Sequence, residues 1–440
     1  MQKIIGIIGA GYSGTALLAT LARLSKSPIH IILFEKTGVF GLGHAYRTPY
    51  PYHLLNVSAK DMSAFHDEPK HFVDWLNTQG YSYDENQFVS RAVYGQYLQA
   101  LLSTISSSRV TVEYVTGEVV DAECHGDEVA LILQSGQHYP VNKVILALGN
   151  NPPSRFPFPV SPRLKTIENP WDYHAIESIA SHESVLIVGS GLSMIDAVLS
   201  LHQQKHQGKI YALSRHGLLP LPHKTIHNNS TVELNEWPKG LAPLTKAVRA
   251  QSQKHARNKG DWREVMHSLR YQAESLWRAS SVADKKRFLR HVAAYWNIHR
   301  HRVPEEVAAL LATLQTQGQL EIVAGRVLAA EDNHIKIKKR HHHELLSLPI
   351  QWLINCMGPT LTMEGERQPL VKSLLEKGYV TLDPLRLGFA TYSEGVIRDA
   401  TEKPSAFFYT LGPPCKGMAW ESTAVPDIRK QIWELAKSLV

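Results

Sequence analysis

Cysteine is scarce in this sequence, with three residues in 440. Cys124, Cys356 and Cys415 lie far apart, their number is odd, and no CxxC pair occurs. A disulfide-stabilised secreted fold and a dithiol redox centre both need paired cysteines, so the sequence argues against each of them. We therefore expect a protein of the reducing cytosol.

Long apolar runs are also missing. No stretch reaches the roughly eighteen apolar residues that a membrane-spanning helix needs, so we expect no membrane span. The first residues, "MQKIIGIIGAG", contain a short apolar run but no small-residue cleavage site. This pattern favours a buried strand over a signal peptide, and the interpretation is a cytoplasmic globular protein.

The usual metal-binding patterns are absent as well. Histidines occur at His299 and His301 and as a run at 341–343. No HExxH motif and no spaced set of cysteines and histidines accompanies them. We therefore expect no metal site.

Acidic residues are too few to balance the basic ones in one part of the chain. The whole sequence has 47 Lys and Arg against 40 Asp and Glu, a net charge of +7. Between residues 231 and 310 there are fifteen basic and eight acidic residues, which is again +7. Such a segment is able to meet nucleic acid or an anionic ligand, or it is the solvated face of helices. We favour the solvated face and expect no nucleic-acid partner, because no block of like charge exceeds three residues.

The sequence does contain a repeated strand–helix–strand pattern. It appears first in "KIIGIIGAG", "YSGTALLATLARLSKS" and "IHIILFEK", and again in "SVLIVGSG", "LSMIDAVLSLHQQ" and "KIYALSRHG". A proline-rich stretch at 150–162 separates the two copies. The sequence therefore predicts an α/β fold with two Rossmann-like dinucleotide-binding domains. Residues 231–316 are mostly helical in pattern and form an insertion.

The first copy carries the glycine fingerprint of a dinucleotide site. Gly9, Gly11 and Gly14 form a GxGxxG frame, which permits a tight turn, close approach of a pyrophosphate and close helix–strand packing. Glu35 follows at the end of the next strand, where a carboxylate accepts hydrogen bonds from ribose hydroxyls. An adenosine ribose with free hydroxyls fits this pattern, and a glycine-rich turn without a ligand is the alternative.

The second copy ends with different chemistry. Gly189 and Gly191 keep the phosphate turn, but Met194 stands in place of the third glycine. The next strand ends in Ser214 and Arg215, which offer a hydroxyl and a guanidinium to a 2′-phosphate that a carboxylate would repel. We expect NADPH at this site, and a surface arginine at a strand end is the alternative for Arg215.

Two different dinucleotide sites in one chain indicate a redox relay. We expect FAD at the first site and NADPH at the second. The stretches "VILALGNNPP" and "WLINCMGP" are typical of crossover strands in such enzymes, and they end in Gly149 and Gly358, where the chain passes near a cofactor.

Three further stretches carry a family resemblance over nearly the whole chain. "GLGHAYRTPYPYHLLNVSAKDMS", "WNIHRHRVP" and "LGPPCKGMAWESTAVPDIRKQ" together resemble FAD/NAD(P)-binding proteins related to flavin-dependent N-hydroxylating and class B monooxygenases. The resemblance implies an FAD domain built from both ends of the chain, 1–150 and 345–440. It also implies an NADPH domain at 151–344 that includes the helical insertion at about 231–316.

The resemblance adds cofactor contacts outside the glycine turns. It makes Gly41, Gly43 and the stretch 55–63 candidates for lining the flavin. Asn56 is the one candidate catalytic residue, because an amide donates a hydrogen bond to oxygenated flavin, and a turn-forming asparagine is the alternative. The complete set of predicted cofactor-binding residues is Gly9, Gly11, Ser13, Gly14, Glu35, Lys36, Gly43, His44, Asn56, Met62, Gly149, Gly189, Gly191, Ser214, Arg215, Gly358, Gly412 and Gly417.

The chain departs from its relatives in two respects. The class B fingerprint FxGxxxHxxxY is absent, and residues 168–174 match it only loosely. The paired cysteines and the Gly-Asp pair of disulfide reductases are also missing. The second departure argues against a disulfide reductase.

Three functions remain in consideration. The leading one is an FAD-dependent, NADPH-consuming oxidoreductase that resembles a monooxygenase and oxidises the nitrogen of a small substrate. A flavin reductase or dehydrogenase with another acceptor uses the same residues, and a non-enzymatic nucleotide-sensing protein is the third. We expect the helical insertion to wall the substrate pocket, with Arg300 and Arg302 near an anionic part of NADPH or substrate. Neither the substrate nor the oligomeric state can be read from the sequence.

Overall fold

The computed structural model describes residues 2–105, 109–224, 236–258, 260–363 and 368–440. The chain divides into two compact units. Unit 1 consists of Met1–Pro152, Ala273–Arg278 and Leu361–Val440, and unit 2 consists of Pro153–Gln272 and Ala279–Thr360.

The described residues form sixteen strands and twelve α-helices. The strands are β1 (Lys3–Ile8), β2 (Ile29–Glu35), β3 (Val110–Thr116), β4 (Val119–His125), β5 (Glu128–Leu133), β6 (His138–Val141), β7 (Lys143–Leu146), β8 (Lys165–Ile167), β9 (Val185–Val188), β10 (Ile210–Ser214), β11 (Leu320–Ala330), β12 (His334–Lys339), β13 (Leu345–Pro349), β14 (Trp352–Asn355), β15 (Val396–Arg398) and β16 (Pro404–Thr410). The helices are α1 (Tyr12–Leu24), α2 (His71–Thr78), α3 (Arg91–Ser103), α4 (Tyr173–Glu177), α5 (Leu192–Gln203), α6 (Leu241–Arg257), α7 (Trp262–Ala279), α8 (Val282–His291), α9 (Ala293–Arg300), α10 (Glu305–Thr316), α11 (Pro369–Glu376) and α12 (Val425–Leu439).

Unit 1 is built on a six-stranded sheet in the order β15-β16-β7-β1-β2-β3. The five strands from β16 to β3 are parallel, and β15 is antiparallel to β16. Helix α1 carries the chain from β1 to β2 on one side, whereas β7 lies on the other side of β1. The topological switch point therefore falls between β1 and β7, which is where open α/β sheets bind ligands.

Both faces of this sheet are buried. Along β2, Ile31 and Leu33 pack into a core formed with α1, α3 and α12, whereas Ile32 and Phe34 pack into a second core that includes β4–β6 and α11. Successive side chains of a strand point to opposite faces, so a strand covered on both sides needs a continuous apolar run. The sequence "IHIILFE" provides that run.

Unit 2 repeats this arrangement with a seven-stranded sheet in the order β13-β12-β11-β10-β9-β14-β8. The five strands from β11 to β8 are parallel, and β12 and β13 extend the sheet as an antiparallel hairpin. Helix α5 carries the chain from β9 to β10, and β14 lies on the other side of β9. The switch point of this sheet is therefore between β9 and β14.

The predicted α/β class with two dinucleotide-type sheets is confirmed. The sequence assigned residues 345–360 to the first domain, but β14 pairs with β8 and β9 and so belongs to the sheet of unit 2. The apolar residues of β14 are typical of any buried parallel strand, so the sequence could not show which sheet β14 joins. Among the helices of the described ranges, none has the length and apolarity needed to cross a bilayer.

Candidate functional site

The glycine turn after β1 is crowded at two of its three glycines. A side chain at Gly9 would put its Cβ 2.4 Å from the Ala147 carbonyl oxygen, and one at Gly14 would put its Cβ 2.0 Å from the Gly9 carbonyl oxygen. Gly9 also has a φ of +103°, in the region that favours glycine. Gly11 is the residue before helix α1, whose first N–H groups have no partner within the helix and suit an anion.

The Glu35 carboxylate sits directly beside this turn. Its Oε2 accepts a hydrogen bond from the Ala10 N–H at 3.1 Å, and its Oε1 accepts from the N–H and hydroxyl of Thr37. The end of β2 is thereby tied to the loop after β1. Oε2 accepts only the Ala10 hydrogen bond, so it keeps a further lone pair for a ribose hydroxyl.

Two other loops close around the same turn. The Gly41 N–H donates to the Ala10 carbonyl at 2.8 Å, and a Cβ at Gly43 would lie 3.1 Å from the Gly11 Cα. A Cβ at Gly412, in the loop after β16, would lie 2.8 Å from the Ser13 hydroxyl. The structure thus brings together residues from the loops that follow β1, β2, β7 and β16.

Other predicted residues of unit 1 have different surroundings. Lys36 is exposed, with its Nζ 3.8 Å from Glu118, and His44 has its pKa lowered by burial and by Lys36, while Glu35 raises it. Asn56 is half-buried on a segment that is held against residues 85–91, and the Met62 carbonyl accepts from the Tyr94 hydroxyl.

Gly417 has a packing reason to be glycine. A Cβ there would lie 2.4 Å from Oδ2 of Asp383, whose carboxylate already accepts from the N–H groups of Leu385 and Gly388. The packing against Asp383 is enough to explain why residue 417 is a glycine, without a cofactor contact.

The first glycine of the turn in unit 2 has the same two contacts as the first glycine of the turn in unit 1. A Cβ at Gly189 would lie 2.0 Å from the Cys356 carbonyl oxygen, as Gly9 faces Ala147. The Gly189 N–H donates to the Leu213 carbonyl at 2.8 Å, as the Gly9 N–H donates to the Phe34 carbonyl at 2.9 Å. Because Phe34 precedes Glu35 and Leu213 precedes Ser214, Ser214 is the structural equivalent of Glu35, and Arg215 is the equivalent of Lys36.

The strand end at Ser214 is positively charged. The Ser214 hydroxyl accepts from the Gly217 N–H at 3.0 Å and fixes the turn, and Arg215 is exposed beyond it. Arg340, at the end of the β12 hairpin strand, donates to the Arg215 carbonyl at 3.4 Å and hydrogen-bonds Nδ1 of His216. Burial and the charges of Arg340 and Arg215 lower the pKa of His216, which keeps its ring neutral and able to accept.

The remaining predicted glycines border open space. A Cβ at Gly149, Gly191 or Gly358 would have no other atom within 4 Å. Gly149 and Gly358 have φ values of +69° and +82°, and each lies two residues after a crowded carbonyl, Ala147 or Cys356. Both switch points therefore combine a closely packed turn with unfilled volume beside it.

Residues 6–151 match a protein-family model described as FAD-NAD(P)-binding. This part of the chain is an FAD-NAD(P)-binding domain. The match runs from the second half of β1 through β7 and contains the glycine turn and Glu35, so it includes every loop of the first site except the one after β16. A comparison with curated protein sequences finds no match.

Solved structures share the fold over the full length of the chain. An ornithine N-hydroxylase from Kutzneria sp. 744, in a structure with reduced FAD, NADP+ and L-ornithine, is 14% identical, with 100% and 99% of the two chains covered and a TM-score of 0.69. A cadaverine monooxygenase from Erwinia amylovora bound to FAD is 12% identical, with 100% and 94% covered and a TM-score of 0.66. A bacillithiol disulfide reductase from Staphylococcus aureus is 12% identical, with 100% and 98% covered and a TM-score of 0.59. At these identities the likeness establishes the fold.

Arg340 lies near the predicted NADPH site but was not predicted from the sequence. Arg340 lies 125 positions from Arg215, and the pairing of β11 with β12 brings it to the end of β10. The only sequence signal was the basic run "KIKKR" before the three histidines. Within the described ranges no group of three or more metal-ligand side chains occurs, and Nδ1 of His299 donates to the Tyr295 carbonyl at 2.8 Å.

Proposed function

We propose that this chain is an FAD- and NADPH-dependent oxidoreductase that oxidises the nitrogen of a small amine. The observation that carries the proposal is the chemical contrast between two equivalent strand ends. The first presents the Glu35 carboxylate, and the second presents Ser214, Arg215 and Arg340. Two sites of the same architecture and opposite charge suit two different dinucleotides.

The residues of unit 1 fit FAD. Gly11 and the first turn of α1 would hold the pyrophosphate, and Glu35 would accept from the ribose hydroxyls. A side chain at Gly11 would reach toward Gly43, whose Cα lies 3.4 Å from the added Cβ, so the two glycines form a narrow cradle. When bound, the flavin supplies hydride acceptance from NADPH and the reduction of oxygen.

The residues of unit 2 fit NADPH. The helix start after Gly191 borders open space and would hold the pyrophosphate, while Arg215 and Arg340 would bind the 2′-phosphate. The neutral His216 orients the Arg340 guanidinium by accepting one of its N–H groups. A protonated His216 could not accept that hydrogen bond.

Nitrogen oxidation is favoured over chemistry at an internal dithiol. Burial raises the pKa of the Cys415 thiol to about 12 and that of the Cys356 thiol still further, and burial also raises the pKa of Cys124. The attacking group in thiol–disulfide exchange is the thiolate, so these thiols are poor nucleophiles. Two of the similar structures are an ornithine N-hydroxylase and a cadaverine monooxygenase, whose substrates are amines.

The proposal is tested by product analysis with a flavin-free control. The purified chain is supplied with NADPH, oxygen and a panel of small amines, and hydroxylated amine is measured by mass spectrometry. We expect bound FAD and amine-dependent product, and we expect Gly11→Val to lose both while keeping its far-UV circular dichroism. Flavin reduction by NADPH without an oxidised amine from any panel member would instead indicate a reductase.

A further inference from the structure

Helix α3 places two tyrosines of unit 1 in closely similar surroundings. Tyr94 and Tyr97 are three residues apart, so they lie on one face of the helix, and both are completely buried. A buried hydroxyl is costly unless it has a hydrogen-bond partner. The Tyr94 hydroxyl donates to the Met62 carbonyl at 2.9 Å. A carbonyl oxygen accepts this hydrogen bond but is not a base at neutral pH, so Tyr94 keeps its proton.

The Tyr97 hydroxyl has a partner of a different kind. Its oxygen accepts from the Ala64 N–H at 3.1 Å and lies 2.8 Å from Nδ1 of His71, the first residue of α2. We assign the imidazole proton to Nε2, so that Tyr97 donates to Nδ1 and its hydroxyl hydrogen has an acceptor. Burial lowers the pKa of His71, which keeps the ring neutral at pH 7. Tyr97 therefore has a base within proton-transfer distance.

A row of aromatic rings connects Tyr97 with the surface of unit 1. The centroid of its ring lies 5.4 Å from that of Trp75 on α2, and the Trp75 centroid lies 6.2 Å from that of Tyr81. Both separations are those of directly interacting aromatic pairs. Trp75 and Tyr81 are partly exposed, whereas Tyr97 is not. An electron therefore has a path from ring to ring between solvent and Tyr97.

The other side of Tyr97 lies against a segment next to the first dinucleotide site. Ala64, whose N–H it accepts, directly follows the stretch 55–63 that is a candidate for lining the flavin. The same segment is fixed at two further points, because the Met62 carbonyl accepts from Tyr94 and the Ser63 carbonyl accepts from Nη1 of Arg429 at 3.1 Å. Tyr97 is thus held by the segment whose neighbours are predicted to contact FAD.

We propose that Tyr97 and His71 form a redox-active pair that removes one-electron oxidants arising at the FAD site. An oxidant of the class formed by partial reduction of oxygen, such as hydroxyl radical, takes one electron from Tyr97 and becomes hydroxide. The phenol proton passes to Nδ1 of His71, which leaves a neutral phenoxyl radical beside an imidazolium. A small enediol reductant at the surface then supplies one electron through Tyr81 and Trp75, and the proton returns from His71 to the Tyr97 oxygen. The proposal rests on the proposed reduction of oxygen at the flavin but not on the oxidation of an amine.

The experiment supplies the oxidant from outside, so its result does not depend on catalysis. Azide radicals made by pulse radiolysis oxidise exposed indole rings of the full chain, and high-field electron paramagnetic resonance of the frozen sample identifies the tyrosyl radicals that follow. We expect a tyrosyl signal with the g-value shift produced by a hydrogen bond from a cationic donor. Tyr97→Phe should abolish this signal, and His71→Gln should abolish its g-value shift, because glutamine does not take up the proton. A chain that oxidises no amine can still give the signal.

The matched control is Tyr94→Phe, which removes an equally buried hydroxyl from the same face of α3 and should keep the signal. Trp75→Phe should slow the appearance of the tyrosyl radical, because it interrupts the row of rings. His71→Gln changes a half-buried residue and provides the second test in case Tyr97→Phe does not fold. The proposal is overturned if the parent gives no shifted signal, or if that signal survives in Tyr97→Phe or His71→Gln. It is equally overturned if Tyr94→Phe abolishes the signal as completely as Tyr97→Phe does.

Discussion

Glu35 and Ser214 occupy equivalent positions, each one residue beyond the carbonyl that accepts from the first glycine of its turn. One is a carboxylate tied to the Ala10 N–H, and the other is a hydroxyl that orders a basic turn. At the residue scale, Glu35 makes the first strand end negative, whereas Ser214 leaves the second strand end without a carboxylate and Arg215 and Arg340 make it positive. The neighbouring Lys36 does not reverse the negative charge of the first strand end, because its Nζ lies 3.8 Å from the carboxylate of Glu118.

The first prediction concerns the two arginines at the second strand end. Replacing Arg215 or Arg340 by Gln should each lower the preference for NADPH over NADH by about tenfold, because each removes a charge-assisted contact worth about 1.5–3 kcal/mol. This preference is measured as the ratio of kcat/KM for flavin reduction with NADPH to that with NADH. The control Arg290→Gln changes an exposed arginine on α8 and should leave the ratio unchanged. An unchanged ratio in both test variants would mean that the 2′-phosphate is bound elsewhere.

Glu35 and Arg215 could be located from the sequence because each follows its glycine turn within about one strand–helix–strand unit. Arg340 could not, because only the pairing of distant strands brings it to the end of β10. Gly43 against Gly11 and Gly412 against Ser13 are also contacts between distant segments. The cofactor roles of these residues stay predictions, whereas their positions at the strand ends are structural facts.

At the scale of elements, the carboxylate of Glu183 links strands at one edge of the second sheet by hydrogen bonds. Glu183, just before β9, accepts from Lys165 on β8 at 2.7 Å and from the indole N–H of Trp352 on β14 at 2.6 Å. It also accepts from the Ala180 N–H at 3.0 Å. These contacts lower the pKa of Glu183 to about 2, although burial opposes the shift. One half-buried anion thus contacts residues of β8 and β14 directly before β9 begins.

Glu183→Gln should therefore destabilise the chain by about 2 kcal/mol at pH 7, since the amide loses the charge that Lys165 meets. The folded-state pKa lies below that of the unfolded chain, so the stabilisation is complete above about pH 4.5 and is lost as the pH falls toward 2. Urea unfolding of both proteins at pH 7, 5 and 3.5 measures the difference.

The control for this series is Glu331→Gln, an exposed partner of Lys336, which should change the free energy of unfolding by less than about 0.5 kcal/mol. A difference between Glu183→Gln and the parent that stays constant down to pH 3.5 would contradict the assigned role of the charge.

At the scale of the whole molecule, unit 1 takes six residues from the helical insertion. Trp277 of α7 donates its indole N–H to the Gly417 carbonyl at 3.0 Å, and its ring centroid lies 5.0 Å from that of Trp420. It is 6% exposed. The insertion read from the sequence as one helical block therefore supplies part of the first unit, and helical periodicity alone could not show where this tryptophan packs.

Trp277→Ala should lower the free energy of unfolding by about 3–5 kcal/mol, because it leaves a cavity and an unpaired carbonyl. Tyr271→Ala, six residues earlier on the same helix and 77% exposed, should cost about 0.5 kcal/mol or less. Denaturation followed by circular dichroism compares the two. Equal stabilities would show that Trp277 is not part of the core of unit 1.

The position of β16 in the first sheet means that this sheet can be completed only late in synthesis of the chain. It pairs with β7, and the Thr410 hydroxyl donates to the Leu146 carbonyl across 264 positions of sequence. At a synthesis rate of about 5–20 residues per second, roughly 13–50 s pass between the synthesis of β7 and the synthesis of its partner strand β16. During that interval the edge of β7 that β16 covers in the folded chain is open to other nascent strands. A segment of the first sheet is therefore exposed to aggregation while the second unit is being synthesised.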